Sequence, residues 1–262
     1  PGVATGGRVR GFLARARAEC AATGTPPPMA AAARADGSAV TVRPFLPGTA
    51  LGHRLGPDAE WELLRCYDDF NARLAEGLAA GPLTGLRSLG DRVDLALRGP
   101  DNEAVRQLRA LASDSRLGAL FHERTDVTDF DLHRDNTLRT EDGRLVRIDL
   151  DSLCPGPRLW GRACALVGAS ALYPAGPGDP ADRPHTRILG GGSDHARELR
   201  YLVRVRLLLG LRFFLALSGG GERYAALYRA ALTELTALDQ FDQFDLVNRF
   251  DRFDQQRGSH AR

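Results

Sequence analysis

Two long stretches of helical periodicity in this chain are separated by a short segment that cannot be helical. From Asp58 to Leu78 the apolar positions Trp61, Leu64, Tyr67, Phe70, Leu74 and Leu78 recur at three and four residues, and Glu103 to Leu117 repeats the pattern. Both are expected as helices packed on one core. After Trp160 the period returns, with helices expected over Trp160–Leu172, Glu198–Leu217 and Arg223–Leu238 and a Pro/Gly-rich loop running to about Ser193. Between Asp126 and Leu153 it gives way to short apolar runs around an Asp142-Gly143 turn, with Asn136–Thr140 on one side and Leu145–Leu150 on the other. That is the pattern of a small hairpin carrying carboxylates at its ends. Helices around a hairpin define an α+β chain.

Upstream, Val9, Phe12, Leu13 and Ala16 mark an amphipathic helix over Arg8–Cys20, ended by Gly24 and Pro26-Pro27-Pro28. Two strands, Met29–Ala35 and Ser38–Phe45, flank an Asp36-Gly37 turn, and Pro47-Gly48 stops the second. At 43% hydrophobic and 26% charged the chain has enough apolar residues for a core, and its 35 basic residues against 33 acidic ones leave a formal charge of +2. Such a balance points to neither a nucleic acid nor a membrane as partner. All the basic residues counted with lysine are arginine, so no Schiff-base lysine can act here. Cys20, Cys66, Cys154 and Cys164 lack the spacing of a zinc site or a disulfide framework, and a cytoplasmic setting is expected. The apolar run Tyr201–Leu217 is interrupted by Arg204, Arg206 and Arg212, which makes it a core helix rather than a membrane span.

The chemistry concentrates in Thr128-Asp129-Phe130-Asp131-Leu132-His133-Arg134-Asp135-Asn136, followed by Arg147-Ile148-Asp149-Leu150-Asp151. Asp131 is an acid, Asn136 an amide five residues on, and Asp149 a second acid at the end of the next strand. Phosphoryl transfer from a magnesium nucleotide needs such parts: a carboxylate to orient or deprotonate a hydroxyl, and hard oxygen ligands for the metal. A hairpin can bring all three to one edge.

In these residues the chain resembles the aminoglycoside phosphotransferase and choline kinase-like superfamily, whose catalytic loop reads His-Gly-Asp-Leu-His-x-x-Asn; Asp131-Leu132-His133 and Asn136 match it. The resemblance implies a protein-kinase-like fold, with a remnant of the small β lobe over residues 1–48, a helical lobe over 49–238 holding the catalytic hairpin 126–153, and a tail over 239–262. It implies ATP and Mg²⁺, with Asp131 as base, Asn136 and Asp149 as metal ligands, and His133, Asp151 and Asp129 in support. Pro44-Phe45-Leu46-Pro47-Gly48-Thr49 resembles the hinge, so that Phe45 and Leu46 would meet adenine, and Glu19 would be the helix acid that partners the phosphate-binding lysine. The expected function is phosphorylation of a hydroxyl on a small molecule such as an aminoglycoside or an amino alcohol. Two departures stand out: Asp129 occupies the place of the loop histidine, and Gly161 that of an aspartate after the tryptophan. The glycine-rich loop and the lysine would precede Arg8, so the chain is expected to be a fragment with weak ATP binding and little turnover. The competing expectation is a non-catalytic, pseudokinase-like module that binds a ligand or partner.

Other features have plainer explanations. His122-Glu123 with His133 lacks the helical i, i+4 spacing of metal ligands. No Gly-x-Ser-x-Gly elbow supports a hydrolase triad. Asp179, Asp182 and Asp194 could attract a cationic acceptor or simply be solvated. The Phe-Asp repeat at Phe241, Phe244, Phe250 and Phe253 reads as a docking stripe or a disordered tail.

Overall fold

The computed structural model describes residues 30–33, 39–42, 45–52, 54–78, 86–114, 118–148, 152–217 and 221–239. The Arg8–Cys20 helix, the Asp36-Gly37 turn and the Phe-Asp tail lie outside those residues, as do Glu19, Asp149 and Asp151.

Helix α1 (Pro57–Leu78) opens on a proline, whose fixed φ suits a first helical position, and has Asp58 and Glu60 in its first turn. Its stripe of Leu64, Tyr67, Phe70 and Leu74 is buried as the periodicity requires. Helix α2 (Leu89–Leu97) was not expected. Ser88 and Asp91 form a reciprocal capping box, the Asp91 N–H donating to Ser88 Oγ at 3.2 Å and the Ser88 N–H to Asp91 Oδ2 at 2.8 Å. Helix α3 (Glu103–Ala112), capped by Asn102, stops short of Leu117, because Ser113 and Asp114 close the last turn on Arg109 and Leu111.

After the hairpin, α4 (Trp160–Leu166) passes into a single π-turn at Val167–Ala171. The segment expected as loop contains a short helix, α5 (Pro184–Leu189), which again starts on proline. Helix α6 (Asp194–Ala216), capped by Ser193, is buried on most of its circumference and forms the centre of the molecule. A last helix, α7 (222–239), lies against it. Gly210 of α6 allows that approach: a Cβ there would lie 2.1 Å from the Tyr228 ring. None of the described helices is long and apolar enough to cross a membrane.

The strands are short and antiparallel throughout. β1 (Ala30–Ala33) pairs with β2 (Ala39–Val42), and Phe45 falls beyond the strand expected to contain it. β3 (Thr49–Ala50) pairs with β5 (Thr137–Arg139), and β5 with β6 (Leu145–Arg147). The β5–β6 turn places Gly143 at a left-handed φ of 82°, as an Asp-Gly turn demands. β4 (Asp126–Asp129) pairs with β7 (Leu153–Gly156), so Pro155-Gly156, expected as loop, is strand. Proline tolerates this position in a two-stranded ribbon because its missing N–H can face away from the partner. The fold is therefore mixed and mostly helical, with small antiparallel sheets.

Candidate functional site

The site grows from the end of β4. Asp129 closes that strand at 1% exposure, and the following loop returns to the ribbon where the Phe130 N–H meets the Ser152 carbonyl at 2.8 Å. Asp129 then holds two things at once. Its Oδ1 accepts the Asp131 N–H at 2.9 Å, and its Oδ2 accepts Arg147 Nη2 at 2.5 Å. The Arg147 guanidinium, equally buried, reaches on to the carbonyls of Asn136 at 2.9 Å and Asp131 at 3.4 Å. One acid and one guanidinium thus fix the loop to the last residue of β6. Burial raises the Asp129 carboxyl pKa and Arg147 opposes the rise. For Arg147, burial works against the charge, but Asp129 keeps the guanidinium's pKa raised.

Within the loop so held, Asp131 and Asn136 meet. Asn136 Nδ2 donates to Asp131 Oδ2 at 3.0 Å, and His133 Nε2 lies 3.4 Å from the same oxygen. Asp131 Oδ1 has no partner among the described residues. Burial acts to raise the Asp131 pKa, but His133, Arg206 and Arg147 together outweigh it and bring the carboxyl down to about 2. Because a carboxylate can only accept, Asn136 must turn its nitrogen toward Asp131, which leaves Oδ1 as its remaining acceptor atom. The Ile148 N–H donates to the Asn136 carbonyl at 2.9 Å, so the described chain ends beside Asn136 one residue before Asp149.

The segment that resembles a hinge, Phe45–Gly48, meets the same sheet. Gly48 packs within about 3.1 Å (as a Cβ) of Leu138 and the Arg139 carbonyl, immediately after Asn136, and leads into β3. Phe45 is 89% exposed and Leu46 half-buried.

The remaining supports come from places the sequence reading did not weigh. Arg206, 1% exposed on α6, donates Nε to the Phe130 carbonyl at 3.0 Å and Nη1 to Tyr228 Oη at 3.1 Å. In the sequence it shows only as a charge that interrupts an apolar run. Gly168 in the π-turn lets the helix touch the loop, since a Cβ there would sit 2.2 Å from the Leu132 carbonyl oxygen. Gly161, where an aspartate was looked for, is held through its backbone: its N–H donates to Asp126 Oδ2 at 2.9 Å and its carbonyl accepts Asn71 Nδ2 at 3.0 Å.

Asp131 and His133 open onto a cavity of about 540 Å³ between the loop, α2, α6 and α7, a size suited to a small ligand. Asp179, Asp182 and Asp194 do not reach it. Asp179 caps a 3₁₀ turn, while Asp182 pairs with Arg187 at 2.7 Å and Asp194 with Arg197 at 2.9 Å on the surface. Among the described residues no cluster of three acids, histidines or cysteines could hold a metal alone.

A serine–histidine–glutamate chain does exist, with Ser170 Oγ 2.7 Å from His185 Nδ1 and His185 Nε2 2.6 Å from Glu234. It is not a hydrolase site. Ser170 is fully buried, and its proton goes to Glu60 Oε2 at 2.8 Å rather than to the imidazole. Glu60 also binds Arg134 and Arg183, making a structural knot between α1, the loop and α5.

No protein-family model and no curated protein matches the chain. Among solved structures, an aminoglycoside phosphotransferase from Alicyclobacillus acidocaldarius subsp. acidocaldarius is similar at a TM-score of 0.45 and 14% identity, over 89% of this chain and 83% of that one. A likeness at that level assigns neither a family nor an activity.

Proposed function

We propose that the protein is a phosphotransferase that moves the terminal phosphoryl group of ATP to a hydroxyl of a small molecule. The observation that carries this reading is the meeting of Asp131 and Asn136 in one buttressed loop whose Asp131 lines a ligand-sized cavity. Asn136 Oδ1 is a hard oxygen donor of the kind magnesium takes, and Asp149 is proposed as its companion. Bound magnesium nucleotide would supply the phosphoryl group and neutralise its charge.

Asp131 orients the acceptor. Its open Oδ1 accepts the hydroxyl proton as a hydrogen bond, then takes that proton as the acceptor oxygen bonds to phosphorus and the bond to the leaving ADP oxygen breaks. A carboxyl that titrates near 2 is a weak base at neutral pH, so the proton moves late, after bonding to phosphorus has acidified the hydroxyl. Positioning is therefore the larger contribution of Asp131, as expected where the transition state is loose. The mixed, mostly helical fold with a hinge strand entering the hairpin sheet suits a kinase-like lobe. The test is magnesium-dependent transfer of label from ATP to hydroxyl compounds in the wild type and in Asp131→Asn, where transfer should fall by orders of magnitude with nucleotide affinity nearly intact.

A further inference from the structure

The cavity beside Asp131 has a charge that the expected acceptors do not match. Its described lining brings together Arg87, Arg92, Arg206 and Arg212, and Asp131 is the only carboxylate among those residues. An aminoglycoside or an amino alcohol carries ammonium groups, which this wall repels. None of the four guanidiniums closes an ion pair with a carboxylate among the described residues.

Two of the four are anchored on one aromatic ring. Arg206 stacks on Phe130 at 4.2 Å and spends Nε and Nη1 on the Phe130 carbonyl and Tyr228 Oη, leaving Nη2 without a protein partner among the described residues. Arg92 stacks on the same ring at 4.3 Å; its Nε is buried, so any grip on a ligand comes from the terminal guanidinium nitrogens at the cavity wall. Stacking occupies the face of a guanidinium and leaves its in-plane N–H fork free, the geometry that grips a carboxylate or phosphate. Arg87 and Arg212 stand nearer to solvent, with Phe213 at 55% exposure and Tyr224 beside them.

We infer that this cavity takes a small anionic hydroxyl compound with an apolar or aromatic body, its carboxylate or phosphate on the arginines and its hydroxyl toward Asp131. The inference rests on the phosphotransferase reading for calling that ligand the acceptor. In the transfer, the acceptor oxygen gains the phosphoryl group, ADP leaves with the electrons of the broken P–O bond, and the proton passes to Asp131. The anion itself is unchanged.

The experiment is calorimetric titration of the whole chain with 4-(hydroxymethyl)benzoate and, as counter-probe, its cationic counterpart 4-(aminomethyl)benzyl alcohol. The benzoate should bind about tenfold or more tightly than the cation, a preference that shrinks with added salt. The preference should fall severalfold in Arg212→Gln, a partly exposed position whose replacement leaves the core intact, and again in Arg92→Gln. Benzoate that fails to bind at millimolar concentration, a cation that binds as well, or a preference unchanged in both variants overturns the inference. Both probes are then offered with magnesium and ATP. Preferential phosphorylation of the cation overturns the anion preference while upholding the phosphotransferase reading. Charge-selective binding without phosphorylation of either probe counts against the phosphotransferase reading and leaves the anion site standing.

Discussion

Asp131 shows how much one residue's role depends on its neighbours. Its carboxyl is raised by burial but lowered more by His133, Arg206 and Arg147, to a net value of about 2. The folded value lies below the unfolded one of about 3.9, so its contribution to stability is present above about pH 4 and is lost as pH falls through 2. Carbon-13 NMR titration should find the Asp131 carboxyl near 2 in the wild type and higher in His133→Gln, because the nearest partner is gone. Asp129 makes the sharper case. It occupies the place of the family's loop histidine, yet it is the counter-charge of a buried guanidinium. Asp129→Ala should therefore cost about 3–5 kcal/mol in urea unfolding. Asp129→His should not restore it, since an imidazole leaves Arg147 without a full negative charge. The residues proposed to do the chemistry stand out in the sequence because turn-forming Asp and Asn recur there at telling intervals. Arg147 and Arg206, which hold them, were not legible, because nothing local marks an arginine as one that will be buried.

The elements were legible where their periodicity is long and lost where it is short. Helices α1 and α6 have enough turns for an apolar stripe to emerge, and the β5–β6 hairpin announces itself through Asp142-Gly143. Helices α2 and α5 span 9 and 6 residues, too few for a stripe, and only their starts, the Ser88/Asp91 box and Pro184, carry a signal. The π-turn at Val167–Ala171 cannot be read from period at all, since its wide turn exists to seat Gly168 against the Leu132 carbonyl. A methyl group there must move either the turn or the loop. Gly168→Ala should cost about 1–3 kcal/mol and lower phosphoryl transfer out of proportion to that loss. Transfer rates measured well below the unfolding midpoint separate the two effects, and Gly192→Ala, in open space, serves as the control.

Across the whole molecule, two buried ion networks hold the loop: Asp129–Arg147 ties it to strand β6, and Glu60 with Arg134 and Arg183 ties it to helix α1 and the start of α5. Glu60→Gln should strand two buried guanidiniums and destabilise the fold by about 3–5 kcal/mol, readable as a lower urea midpoint with an unchanged slope. The Asp129–Arg147 pair holds the loop in which Asn136 meets Asp131, and Asp131 opens onto the cavity; the proposal that a phosphoryl group changes hands there has one direct test. Protein in excess is mixed with γ-labelled ATP, magnesium and hydroxyl compounds in a single turnover, in the wild type, Asp131→Asn and Asn136→Ala. The account predicts labelled product that requires magnesium, falls by orders of magnitude in Asp131→Asn, and is weakened together with magnesium affinity in Asn136→Ala. Label that reaches no hydroxyl in the wild type, or reaches it equally well without the Asp131 carboxylate, would contradict it.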